Sequence, residues 1–111
     1  MPHDLQADPA IAEIVRRLVR AVDPDRLVLF GSRARGMPSA ASDYDILIVK
    51  PSAETRYRRL RPARSALWGI GVPVDLLWYT PDELKDWAEV PVHVATQAVL
   101  NGVELYAKDP A

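Results

Sequence analysis

Gly31-Ser32-Arg33-Ala34-Arg35-Gly36 and, six residues on, Asp43-Tyr44-Asp45-Ile46-Leu47-Ile48-Val49 together hold the decisive pattern of this chain. Leu27–Phe30, just before the first, is a short apolar run bounded by turn signals and predicts a buried strand. Gly31-Ser32 then interrupts it, and Arg33-Ala34-Arg35 suits a helical turn. Gly36–Ser42 is a loop of small residues, and Asp43–Val49 is a second strand that opens polar, turns apolar and is stopped by Pro51. A Gly-Ser pair leaving a strand lets backbone N–H groups and a hydroxyl approach phosphate oxygens closely. Side chains alternate along a strand, so Asp43 and Asp45 share one face and Tyr44 takes the other.

Two carboxylates a few ångströms apart repel by roughly 4 kcal/mol at an effective dielectric near 20. A cation between them, or a proton on one, removes that cost. Oxygen donors without His or Cys favour Mg²⁺ or Mn²⁺. A third acid, Asp75, stands near the start of the otherwise apolar run Val72–Tyr79, where a charge needs a reason. If that run pairs beside Asp43–Val49, the three acids converge. Three acids, a divalent ion pair and a phosphate-holding turn are the parts of two-metal phosphoryl or nucleotidyl transfer.

The rest of the chain frames these elements. Asp8-Pro9 starts a helix whose stripe is Ile11, Ile14, Val15, Leu18, Val19 and Val22, and Asp23-Pro24 ends it. Residues 53–68 have helical spacing, with Pro62 expected to kink or divide the helix. Thr80 or Asp82 can cap a short helix to Trp87. Val92–Leu100 reads as a helix closed by Asn101-Gly102, and Val103–Tyr106 as a last short strand. Strands interleaved with helices predict an α/β (α+β) domain, a small mixed sheet flanked by helices.

With 111 residues, 49% hydrophobic and 26% charged, one core is affordable and 1–111 reads as a single domain. The formal net charge of −1 argues against an overall electrostatic nucleic-acid binder, without excluding a local basic patch. The absence of cysteine removes disulfides, thiol catalysis and thiolate metal sites. No apolar run approaches the roughly 18 residues of a membrane span. The N-terminus lacks a secretory layout, so the expectation is a cytoplasmic protein with no membrane partner.

Gly31-Ser32, ten intervening residues, Asp43-x-Asp45 and a later strand acid at Asp75 resemble the DNA polymerase β-like nucleotidyltransferase superfamily. The GSRARG wording and the segment from Val74 to Leu84 are closest to the minimal nucleotidyltransferases (MNT) of prokaryotes. Many of these are antitoxins paired with a helical HEPN ribonuclease toxin. The resemblance covers Leu27–Tyr79 strongly and Val94–Tyr106 loosely. It implies the polymerase β-like fold, ATP as substrate and two Mg²⁺ ions. Asp43, Asp45 and Asp75 would be catalytic and metal-binding, with Asp75 also helping to deprotonate the attacking hydroxyl. Gly31 and Ser32 would hold the terminal phosphates, with Arg33 and Arg35 facing phosphate charge.

By the same resemblance the protein is a type VII-like antitoxin that moves AMP to a tyrosine of a cognate HEPN toxin. Two alternatives stand beside this: an antitoxin that neutralises by binding alone, and a small-molecule nucleotidyltransferase that completes its pocket as a dimer. Larger family members append a helical domain, and only about thirty residues follow the third strand here. The acceptor is therefore expected on another molecule, through a homo- or hetero-oligomer. Val92, Val94, Ala95, Val99 and Leu100 are the expected docking face.

Arg56, Arg58, Arg59, Arg61 and Arg64 put five arginines in nine residues. They read first as a solvated helix face, and second as a basic rim for triphosphate, RNA or an acidic partner. Trp68, Trp78 and Trp87 read as packing residues. His93 reads as a surface residue at a helix start, and His3 falls in a terminus.

Overall fold

The computed structural model describes residues 8–34, 43–88, 90 and 93–108. Among them, four helices and four strands run in the order α1 (Pro9–Val22), β1 (Arg26–Phe30), β2 (Tyr44–Val49), α2 (Arg56–Ala66), β3 (Val74–Tyr79), α3 (Pro81–Trp87), α4 (Val94–Asn101) and β4 (Val103–Ala107). None of these helices is long and apolar enough to cross a membrane.

α1 begins where the Asp8 carboxylate accepts from the Ala10 amide at 2.8 Å, with proline in its first turn. It ends at Asp23, whose φ of +48° turns the chain out of the helix. Ile11, Ile14, Leu18 and Val22 are buried along one stripe, as their spacing requires.

The strand order is β3-β2-β1-β4. β1 runs antiparallel to β2 and β4, while β2 and β3 are parallel, joined by the α2 crossover. The expected small mixed sheet is therefore present. Alternation splits its side chains between two cores. Leu27, Leu29, Tyr44, Ile46, Ile48 and Trp78 pack with the buried faces of α1 and α2. Val28, Leu47, Val49 and Tyr79 pack on the other side with Ala95 and Ala98 of α4. β2, covered on both faces, is the apolar centre of the domain.

α2 is one helix with Pro62 inside it, so of the two expected outcomes, a kink or a division, the proline does not divide it. Proline removes a single backbone bond there, and the buried Arg59, Leu60 and Ala63 fix the turns on either side. Its arginines are not uniformly solvated. Arg59 is only 7% exposed. Its guanidinium donates from Nη1 to Glu83 Oε1 at 2.7 Å and the Trp78 carbonyl at 3.2 Å, and from Nη2 to the Glu54 carbonyl at 2.8 Å. Arg56 Nη1 donates to the Tyr79 hydroxyl at 2.9 Å. These contacts tie α2 to β3 and α3.

Thr80, not Asp82, caps α3. Its side chain accepts from Glu83 N, and the Glu83 carboxylate accepts from Thr80 N, a reciprocal capping box. His93 is half-buried, contrary to a plain surface reading. Its ring stacks on Trp87 at 3.9 Å, and its Nδ1 accepts from the Ala95 amide at the start of α4. Trp78 is buried as expected, whereas Trp68 is 85% exposed. Trp68 lies just past the end of α2, beyond the helical face that packs.

Candidate active site

The parallel pairing of β2 with β3 sets Asp45 directly beside Asp75. Antiparallel pairing with β1 sets Phe30 opposite Asp45, so Gly31 leaves β1 next to that carboxylate. Gly31 has φ +77°, and a Cβ built on it would collide with Asp45 Oδ2. Glycine is required here twice, for its conformation and for the carboxylate's space. A weak turn follows, with Ala34 N donating to the Gly31 carbonyl at 3.2 Å.

Asp45 is half-buried, while Asp43 and Asp75 are exposed. Burial first, then the charges of Asp75 and Asp43 and a hydrogen bond with Asp75, hold the Asp45 carboxyl above the ordinary carboxylate range. Strand alternation puts Asp45 with Leu47, and Asp75 with Leu77, on the sheet face that α4 covers. Between that helix and the Gly31 turn lies a cleft of about 140 Å³ lined by Phe30, Gly31, Val94, Gln97, Ala98 and Asn101.

Tyr44, between the two motif acids, points to the opposite core. Its hydroxyl donates to Asp8 Oδ2 at 2.9 Å, and the Arg33 guanidinium lies 3.9 Å over its ring. Burial and the Asp8 carboxylate push the Tyr44 hydroxyl above its usual range. The ring thereby holds the Arg33 guanidinium on the α1 side of the sheet, opposite the face of Asp45 and Asp75. In the sequence Tyr44 reads only as the residue facing away from the two acids. Its position one step from both acids was the available signal.

Of the expected site residues, the structure gathers Gly31, Asp45 and Asp75, with Asp43 two residues from Asp45. Ser32 and Arg33 follow in the turn. Arg35 lies outside the described residues, as does Val92 of the expected docking face. Among the described residues no group of three or more His, Cys, Asp or Glu side chains is placed to hold a metal ion. The donor set still fits a hard divalent ion. Mg²⁺ is commonly held by one or two carboxylates and completed by substrate phosphates and water, not by a dedicated protein cage. Two touching carboxylates, one with a raised pKa, present the charge that such an ion neutralises.

Gly31→Ala tests this geometry. The left-handed backbone costs about 1–2 kcal/mol for a residue with a Cβ, and the methyl displaces Asp45. We expect a lower melting temperature and at least a roughly tenfold loss of any chemistry that needs the Asp45–Asp75 pair. A variant equal to wild type in both measurements would refute the placement.

Comparison with known proteins comes to the same region of the chain. The family model for the nucleotidyltransferase domain matches residues 9–101. No curated protein matches the sequence significantly. Among solved structures, a toxin–antitoxin with AMP-PNP is similar at 22% identity and a TM-score of 0.64, over 88% of this chain and 73% of that one. A mutant MntA–HpeT toxin–antitoxin matches at 20% identity, TM-score 0.63 and the same coverage. A Sulfolobus solfataricus protein described as a nucleotidyltransferase matches at 22% identity and TM-score 0.56, over 94% of this chain and 92% of its own.

Proposed function

The chain belongs to the nucleotidyltransferase domain family, and on that premise we propose that it transfers AMP from ATP to a tyrosine hydroxyl of a cognate HEPN toxin, as the antitoxin of the pair. The observation that carries the chemistry is the Asp45–Asp75 carboxylate pair set against the Gly31 turn. The partner is supported by the likeness to structures of toxin–antitoxins, one of them holding AMP-PNP.

In this reading Asp45 and Asp75, with Asp43 two residues away, would hold Mg²⁺, which when bound would supply neutralisation of phosphate charge. Gly31 and Ser32 receive the terminal phosphates in the turn, and Arg33, whose guanidinium lies over Tyr44, would have to leave that ring to face their charge. Asp75, exposed on its strand, accepts the proton of the attacking hydroxyl. The hydroxyl oxygen bonds to the α-phosphorus, the bond to the bridging oxygen breaks, and pyrophosphate leaves with the electron pair.

The hydroxyl must be held about 3 Å from that phosphorus, and a docked partner supplies the positioning. Val94, Val99 and Leu100 are exposed on α4. Val99 and Leu100 line a groove of about 290 Å³ together with Leu84, Ala88 and Ala95, and Val94 lines the cleft beside Gly31. This is the docking face we assign to the toxin.

The test is direct. Protein, ATP and Mg²⁺ should raise the mass of the cognate toxin by whole AMP units, on tyrosine, while its ribonuclease activity falls in step. Silencing without any mass change, equally by wild type and Asp43→Asn, would establish neutralisation by binding alone and overturn the transfer reading.

A further inference from the structure

The outer face of α2 carries a feature the transfer reaction does not use. Tyr57, Arg61, Arg64 and Trp68 recur at spacings of four, three and four. On an ideal helix of 3.6 residues per turn Tyr57, Arg61 and Arg64 fall within about 60° of one another and span about 10 Å, and Trp68 follows in the turn two residues past the helix end. Tyr57 is 69% and Trp68 85% exposed. Arg58, Arg61 and Arg64 are also exposed. Among the described residues these three make no ion pair, unlike Arg59.

α2 holds five of the chain's 14 basic residues and no acid, although the whole chain is at −1. Trp68 is also anchored. Arg17 of α1 donates from Nη1 to the Ala66 carbonyl at 3.3 Å and to the Trp68 carbonyl at 3.0 Å, fixing the backbone of the turn while the indole stays in solvent. Arg17 is itself held by Glu13, whose carboxyl is lowered to about 2 by Arg16 and then Arg17.

We propose that this aromatic–arginine stripe binds single-stranded nucleic acid. Bases stack on Trp68 and Tyr57, and Arg58, Arg61 and Arg64 meet the intervening phosphates. Guanidinium forks match phosphate oxygens, and an exposed aromatic face accepts any base. Single-stranded nucleic acid satisfies both halves of the stripe together, phosphates at the guanidinium forks and bases on the two rings. α2 packs in the layer with α1, on the sheet face opposite Asp45 and Asp75, so the surface is separate from the candidate catalytic pair. The inference does not rest on the transfer reading.

The test uses the whole protein and a fluorescein-labelled single-stranded RNA of about 12 nucleotides, within the usual range of roughly 4–16 per site. Anisotropy should rise saturably at low salt. Three arginine–phosphate contacts at about −0.7 each give a slope of about −2 in log affinity against log salt, so moving from about 50 to about 200 mM weakens binding roughly twentyfold. Arg61→Glu with Arg64→Glu should weaken it by at least about tenfold. Tryptophan emission should be quenched on binding, because Trp78 is buried and Trp87 is stacked on His93. Trp68→Phe, which preserves an aromatic face and any structural role of the ring, should remove most of the quench and keep most of the affinity. No saturable binding, binding indifferent to the double charge reversal, or a polyglutamate peptide competing as well as unlabelled RNA would each overturn the proposal, the last in favour of an acidic protein partner.

Discussion

Asp45→Asn is expected to lower AMP transfer by more than about 100-fold while raising the melting temperature. Loss of even an outer partner of a metal ligand costs about 10–100-fold, and Asp45 is placed as a ligand itself. The stability gain has a separate origin. The folded Asp45 carboxyl is held above its ordinary range by burial, Asp75 and Asp43, so its ionised form is penalised only in the fold. That penalty is absent below the unfolded carboxylate pKa and grows as pH rises through the folded one. The neutral amide escapes it. The melting temperature of the variant should therefore lie above that of the wild type. The difference should be seen at neutral pH and vanish once wild-type Asp45 is protonated in both states. Thermal melts across pH, beside transfer of labelled nucleotide, check both parts. A variant that melts lower than wild type at pH 7, or one that still transfers, contradicts the assignment, and so does wild-type transfer that persists in EDTA.

Glu83→Ala should produce the largest loss of stability. Arg59 is 7% exposed, and its guanidinium makes its charge-assisted bonds to Glu83 at 2.7 and 3.3 Å. Removing one member of a buried pair typically costs 3–5 kcal/mol, because the other charge is left uncompensated. The Glu83 side chain is 29% exposed, which places the expected cost near about 3 kcal/mol. The same change deletes half of the α3 capping box. A fall in melting temperature of roughly 10 °C follows. Arg59 holds the Glu83 carboxyl below its usual range, chiefly by hydrogen bonding. The stability this gives is present above the unfolded Glu pKa and drains away as pH falls through the folded one. The gap between wild type and Glu83→Ala should therefore narrow in acid. A shift of only a degree or two at neutral pH would show that water, and not Glu83, satisfies Arg59.

These two acids differ in how they could be read. Asp45 declared itself in the sequence, because a charge paired at i, i+2 before an apolar run is locally anomalous. Glu83 did not, since an acid in a helix first turn is ordinary there. Its partner Arg59 sits among five arginines, and nothing local distinguishes the one that faces inward from the four that do not.

What the sequence by itself determined is whatever depends on neighbours along the chain: the Asp8-Pro9 start of α1, its apolar stripe, the runs of β1, β2 and β3, the Gly31-Ser32 turn between β1 and Asp43-x-Asp45, and the short helix after Thr80. Only the tertiary structure decided the β3-β2-β1-β4 order and the register that puts Asp75 beside Asp45 and Gly31 against its carboxylate. It also decided which arginine of α2 is buried, that Pro62 leaves the helix whole, and that Trp68 stands in solvent. Caps, turns and amphipathic stripes are set by contacts a few residues apart. Strand partners and the rotation of a helix on its sheet are set by burial summed over segments tens of residues apart, and the local code carries no such sum.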